Sequence, residues 1–289
     1  MSELAPAVWT ARAEAHRARA EEFLGPQLAR MRRGERHPVW DFLFTYYSLR
    51  PGRLLRWHPG YGVTLTGPAA LAYAALTGYR RVPGGVRVSE DHLAARADTV
   101  GFVRQLLTAT AARPARYGCF GMHEWAMVYR SPRPRHARLP LRLGAAGTDA
   151  VLESMPLRCT HYDAYRFFTG AATARNEIAL TRPAQLEHEQ PGCLHANMDL
   201  YKWAGKLSPL VDSELLLDCL LLAADARLLD MAASPYDLAE LGVEPVRVED
   251  AAGRAEYVRR QGAIAERAAG LRARLAAQCQ ALADAHQPA

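Results

Sequence analysis

Gly192-Cys-Leu-His195-Ala-Asn-Met-Asp199-Leu-Tyr201-Lys-Trp203 is the segment from which the architecture follows. A helix beginning after Gly192 would set His195, Asp199 and Trp203 four residues apart, stacked on one face. That face would hold a base or metal ligand, a carboxylate and an aromatic wall. Working outward, two more segments put a cysteine a few residues ahead of a histidine: Cys119-Phe-Gly-Met-His123-Glu124-Trp125 and Cys159-Thr-His161-Tyr-Asp163-Ala-Tyr165. Together the three define a central Cys/His segment, 118–209. Cysteine, histidine and carboxylate side chains bind metals, move protons or attack carbon, so any reactive centre is expected here.

Cys159, His161, Asp163 and Tyr165 sit at alternate positions, and in an extended conformation all four point to one side. Asp163 would then orient His161 for acid/base work, or both would hold a metal. Glu124 lies between His123 and Trp125, where an apolar wall would raise a carboxyl group toward a useful acid or base. Three histidines with carboxylates satisfy zinc or non-haem iron. The expected metal ligands are therefore His123, His161, His195 and Asp163, with one divalent ion, iron or zinc, as the candidate cofactor. Cys119 or Cys193 beside a histidine is a further option as nucleophile. Neither a paired CxxC nor HExxH occurs, and there is no GxGxxG before a helix, no GxxxxGK[ST] and no GxSxG, which argues against nucleotide-cofactor enzymes and serine hydrolases.

The 289 residues are 49% hydrophobic and 23% charged, the balance of an ordinary globular protein. No apolar run is long enough for a bilayer, no signal peptide opens the chain, and five cysteines make no disulfide framework; the expectation is a cytoplasmic protein with reduced thiols and no membrane partner. The net charge of +6 would favour anionic partners, although only two of the 36 basic residues are lysines, a bias that a GC-rich genome also produces.

Helical spacing predicts a helix from about Thr10 to Arg33, kinked or broken at Gly25-Pro26. Aromatic residues crowd Trp40 to Tyr47, and Trp57-His58-Pro59-Gly60 forces a loop that could reach a site. Val63–Thr66 and Val86–Val88 alternate as short strands, with Pro83-Gly84-Gly85 as a hairpin turn. Ser89 would cap a helix running to about Thr110. Between Arg130 and Arg142 five arginines alternate with prolines, an extended arm suited to phosphates. Asp212 or Ser213 would cap a leucine-rich buried helix to about Ala233, and a C-terminal amphipathic helix over about 250–286 would pack on the body or pair with a second copy as a homodimer. With no repeat and no linker, residues 1–289 read as a single α+β domain, mainly α-helical with a small antiparallel sheet.

His37-Pro-Val-Trp-Asp-Phe-Leu-Phe-Thr-Tyr-Tyr47, Arg56-Trp-His-Pro-Gly60, Gly118 to Tyr129, Cys159 to Thr169 and Gln190 to Trp203 carry a resemblance over nearly the whole chain. The chain resembles a family of actinobacterial proteins commonly labelled 3-methyladenine DNA glycosylase. The resemblance implies an N-glycosylase acting on alkylated or modified bases, which flips a base into an aromatic pocket beside a carboxylate. It implies DNA or a nucleobase-like molecule as partner. Catalysis would fall to Glu124, Asp163, Asp199 or His161, and substrate contacts to Tyr47, His58, Trp125, Tyr165, Tyr201 and Trp203, with Arg133 and Arg135 on phosphates. The Gly-rich hairpin and aspartate of helix-hairpin-helix glycosylases are not reproduced at Pro83-Gly84-Gly85 and Asp98, so no role passes to Asp98. Beside the glycosylase stand two alternatives: a metal-dependent enzyme acting on a small molecule, and a non-enzymatic helical binding protein whose Cys/His nodes are core.

Overall fold

The structure, a computed structural model, describes residues 2–132 and 139–286. The fold is α+β and mainly helical, with one small four-stranded sheet. Its strands are β1 (Ser2–Leu4), β2 (Val63–Thr66), β3 (Tyr79–Val82) and β4 (Gly85–Val88), in the order β1-β2-β4-β3. The expected hairpin is β3-β4, with Val82 opposite Gly85, and Leu65 of β2 pairs antiparallel with Val86 of β4. The sheet is mixed rather than purely antiparallel, because Ser2–Leu4 adds alongside β2 in parallel.

The residues group into two compact units. The first takes Met1–Leu107, Leu200–Leu221 and Leu271–Ala289, and the second Thr108–Asp199 and Leu222–Gly270. The helices Leu194–Leu207, Ser213–Ala232 and Ala251–His286 contribute to both.

In the first unit α1 (Pro6–Arg32) runs straight through Gly25-Pro26 instead of breaking there. Pro26 is on the exposed side, where water can satisfy the carbonyl its ring deprives of a donor, while Leu24 and Gln27 anchor the buried side. Thr10 is not the cap: Pro6 occupies the first turn, and the Thr10 hydroxyl donates to the Pro6 carbonyl at 2.7 Å. Ser89 does cap, accepting from the His92 amide at 3.1 Å. The helix it starts stops at Ala94, and α2 (Ala97–Ala111) resumes after a turn closed by Arg96 N–H on the Leu93 carbonyl. The aromatic run is packing: Phe42 and Tyr46 stack at 4.7 Å, and Tyr47 meets the fully buried Tyr201 edge-on at 5.4 Å. Trp203 is edge-on to Phe102 at 5.6 Å.

His58 is held by its loop. Its amide donates to the Ser213 hydroxyl at 2.8 Å and its Nδ1 lies 2.9 Å from the Tyr79 hydroxyl. Burial, reinforced by the positive Arg56 and by His16, depresses its pKa from 6.5 to about 4. The unfolded chain therefore binds more protons at His58 through this interval, so the penalty is absent above pH 6.5 and grows as the pH falls toward 4. Thermal melting is expected to fall across that range, and His58→Gln to flatten the slope; equal slopes in the two proteins would contradict the assignment.

The leucine-rich helix is capped by Asp212, whose Oδ1 accepts from the Leu215 amide at 2.7 Å. Leu215, Leu217, Leu220 and Leu222 are buried, as a helix apolar all round requires. The C-terminal helix Ala251–His286 starts after Asp250, which accepts from the Gly253 amide at 2.7 Å. Its buried stripe runs through Tyr257, Gln261, Ile264, Ala268, Arg272, Leu275, Cys279 and Leu282. Val258 and Leu271, which apolar spacing alone would put on that stripe, are only half-buried, and Tyr257 and Arg272 beside them are buried instead. No helix among the described residues is long and apolar enough to cross a membrane.

Candidate metal centre

Each Cys/His segment reaches the second unit's interior through a different piece of local structure. In the first, Phe120 and Gly121 both adopt left-handed backbone conformations (φ 48° and 72°). They turn the chain sharply into α3 (Met122–Ala126), whose first amide donates to the Cys119 carbonyl at 2.9 Å. Such strain at a non-glycine residue is stored where surrounding structure insists on it. A Cβ at Gly121 would also press on Ala233 and Tyr257.

The second segment departs from the expected alternation. His161 is extended but α4 (Tyr162–Tyr165) begins directly after it, so Asp163 and Tyr165 leave the face shared by Cys159 and His161. Asp163 turns to Arg182 at 2.8 Å and Arg166 at 3.3 Å instead. Among the described residues it is in neither group of ligand atoms able to hold a metal, so the ligand set expected with Asp163 is not the one the structure brings together.

The third segment is helical as expected, from Leu194, and His195 and Asp199 share a face. Gly192 permits the entry: a Cβ there would lie 2.6 Å from the Arg116 carbonyl oxygen and 2.8 Å from its nitrogen. The Gly192 amide donates to the Gln190 side chain at 2.7 Å, and its carbonyl accepts from the buried Gln261 at 2.7 Å. Gly192→Ala is expected to lower unfolding free energy by roughly 1–3 kcal/mol, read from denaturant midpoints, because the Arg116 backbone opposite is held by two hydrogen bonds to the Gln190 side chain, at 2.9 and 3.1 Å, and cannot yield without breaking them.

The three histidines converge. The His195 ring is edge-on to His123 at 4.3 Å between centroids and nearly parallel to His161 at 5.4 Å. Two groups of ligand atoms result: His123, His195 and Asp230, and His161, Glu189 and Asp199, with the atoms of each group within 4.8 Å of one another. His123 Nε2 lies 2.6 Å from Asp230 Oδ1, and His161 Nε2 lies 3.3 Å from Asp199 Oδ2 and 3.4 Å from Glu189 Oε1. All but the half-buried His195 are shut from solvent.

Electrostatics follow from these distances. Burial opposes a charge on His123, but the Asp230 carboxylate outweighs it, with help from the Cys119 thiol, and the pKa rises to about 10. Burial likewise opposes Asp230, and His123 and Arg227 hold it below the ordinary carboxylate range. His195 is driven the other way, well below 6.5, by burial and then by the charge on His123. A neutral imidazole beside a protonated one is free to act as ligand or base. Arg227 is 1% exposed and its Nη1 donates to Asp230 Oδ2 at 2.6 Å and to Glu124 Oε1 at 3.0 Å. Glu124 thus faces a guanidinium, not the apolar wall expected from Trp125. Burial pushes the Cys193 thiol up to about 12 and Cys159 well above its ordinary value, which removes the thiolate a Cys193 nucleophile would need.

A cavity of about 300 Å³ opens beside Cys119 and Cys159, lined also by Thr160, Ile178 and Gln190, by Arg116 and Arg158, and by Glu177; the candidate ligands are not part of this lining. Trp125 does not line it. That ring is fully buried with its Nε1 donating to the Ala233 carbonyl at 2.9 Å, so neither face is open to a base. Tyr165 is buried against Phe168 at 5.2 Å. The arginine arm is tied at its ends, Arg130 to Glu153 at 2.7 Å and Arg142 to Glu249 through two bonds. Arg133 and Arg135 lie outside the described residues. Asp230 and Glu189 were not among the expected site residues. Compared with family models, with curated proteins and with solved structures, the chain matches none.

Proposed function

We propose that this protein is a metal-dependent enzyme acting on a small molecule, with one divalent ion, iron or zinc, held by His123, His195 and Asp230. The observation that carries this reading is the packing of His195 against the His123 ring, with ligand atoms of His123, His195 and Asp230 within 4.8 Å of one another. Two imidazoles and one carboxylate, with coordination positions left over, suit non-haem iron and catalytic zinc alike. The ion would supply Lewis acidity or an activated bound water. Arg227 fixes the Asp230 carboxylate from behind, the kind of support that orients a ligand. His161, 3.3 Å from Asp199 and 3.4 Å from Glu189, would take or return a proton. Substrate would enter the 300 Å³ cavity, where Arg158 is paired with Glu177 at 3.4 Å and Arg116 adds a second cation. Because the ion takes the place of the proton on His123, whose pKa is raised to about 10, loading is expected to strengthen as the pH rises toward that value and to weaken as it falls.

Purification without chelator, elemental analysis and thermal melts with added Fe(II) or Zn(II) test this. About one ion per chain and a metal-dependent rise in melting temperature are expected. The glycosylase reading predicts a different result: no metal dependence, and salt-sensitive binding to duplex DNA carrying an abasic-site analogue. That pair of outcomes would replace the metal reading with it.

A further inference from the structure

The first unit contains a cavity of about 670 Å³ that the metal reading does not use. Its volume falls in the range of small-molecule sites. Five permanently charged side chains line it, Arg50, Arg53, Arg56, Arg96 and Lys206, and no aspartate or glutamate does. Arg50, Arg53 and Arg56 recur every third residue around the short helix Pro51–Leu54, and among the described residues none of the three forms an ion pair. Cations gathered in a concavity with low-dielectric walls focus a positive potential on whatever fills it.

Other polar groups at the cavity carry the same message. His16 donates from Nε2 to the Leu54 carbonyl at 2.9 Å, while its buried Nδ1 has no hydrogen-bond partner. His92 also lines the cavity, with a buried Nε2 that has no hydrogen-bond partner. Buried polar nitrogens are seldom left so, and each is a hydrogen-bonding position for a ligand or water. Ser48, also in the lining, holds a left-handed conformation (φ 56°) that is uncommon for a non-glycine residue. Leu216 and Leu220 add an apolar wall.

We propose that this cavity is a binding site for a small anionic ligand bearing a phosphoryl or diphosphoryl group on an apolar or aromatic body. Guanidinium forks match phosphate oxygens with paired hydrogen bonds, and the leucine wall takes the uncharged remainder. The concavity favours a small molecule over a duplex, whose backbone needs an open or convex-fitting surface.

Calorimetric titration of the full chain with inorganic pyrophosphate, at low ionic strength in a chloride buffer, tests the proposal. Saturable binding of one pyrophosphate per chain is expected, weakened about tenfold or more in Arg53→Glu/Arg56→Glu. Both side chains are exposed, so the variant should keep its melting temperature, and Lys206→Glu provides a second, independent perturbation. No saturable binding at millimolar pyrophosphate, or equal affinity in both variants, would overturn the site. Displacement of pyrophosphate by a short DNA duplex through the same two arginines would overturn its assignment to a small molecule.

Discussion

Replacing Arg227 by leucine is expected to cost about 3–5 kcal/mol of unfolding free energy, among the largest effects of any single substitution in this chain. The guanidinium is fully enclosed and sits between Glu124 at 3.0 Å and Asp230 at 2.6 Å. Leucine fills much of the volume but leaves two buried carboxylates with one fewer cation, and a buried charge without compensation is far more costly than a missing contact. Acid pH should partly rescue the variant by protonating a carboxyl group. Denaturant unfolding at pH 7 and pH 5 measures both effects, and a loss below about 1 kcal/mol would mean that water or a neighbour replaces the arginine.

His195→Ala is the second large effect, and it separates function from folding. His195 is half-buried, uncharged and forms no ion pair among the described residues, so its removal leaves the charge balance of Arg227, Glu124, Asp230 and His123 intact. The variant is expected to stay within about 1–2 kcal/mol of the parent in stability. Its metal affinity should fall by about a hundredfold or more, since one of three protein ligands is gone. Equilibrium competition with a chromophoric chelator reads the affinity. An unchanged affinity would move the ion to His161, Glu189 and Asp199, the other group able to hold one.

Much of this arrangement was legible in the residues, and the gaps have physical causes. Apolar spacing located the long helices, and Ser89, Asp212 and the Val82-Pro83-Gly84-Gly85 turn marked boundaries because their chemistry is local. The grouping of three histidines was legible because Cys, His and carboxylate were concentrated in one window. Asp230 was not, since its helix read only as leucine-rich. Yet Arg227 three residues earlier in the same apolar helix was a usable signal, because buried charges at helical spacing must answer each other. Glu189 gave no such sign, standing in an irregular stretch before Gln190-Pro191. The alternation of Cys159 to Tyr165 misled because a period of two describes a strand only while the chain stays extended, and here a helical turn starts at Tyr162. Asp163 was then claimed by Arg182, nineteen residues away, a pairing no local pattern contains.

X-ray absorption at the metal edge of protein loaded with one equivalent of Zn(II) addresses the centre most directly. A shell of nitrogen and oxygen neighbours at about 2.0–2.2 Å, with the multiple scattering of two imidazoles that drops to one in His195→Ala, is the expected spectrum. Sulfur at about 2.3 Å would place the ion on the cysteines instead, and a chain that takes up no ion at all would remove the centre.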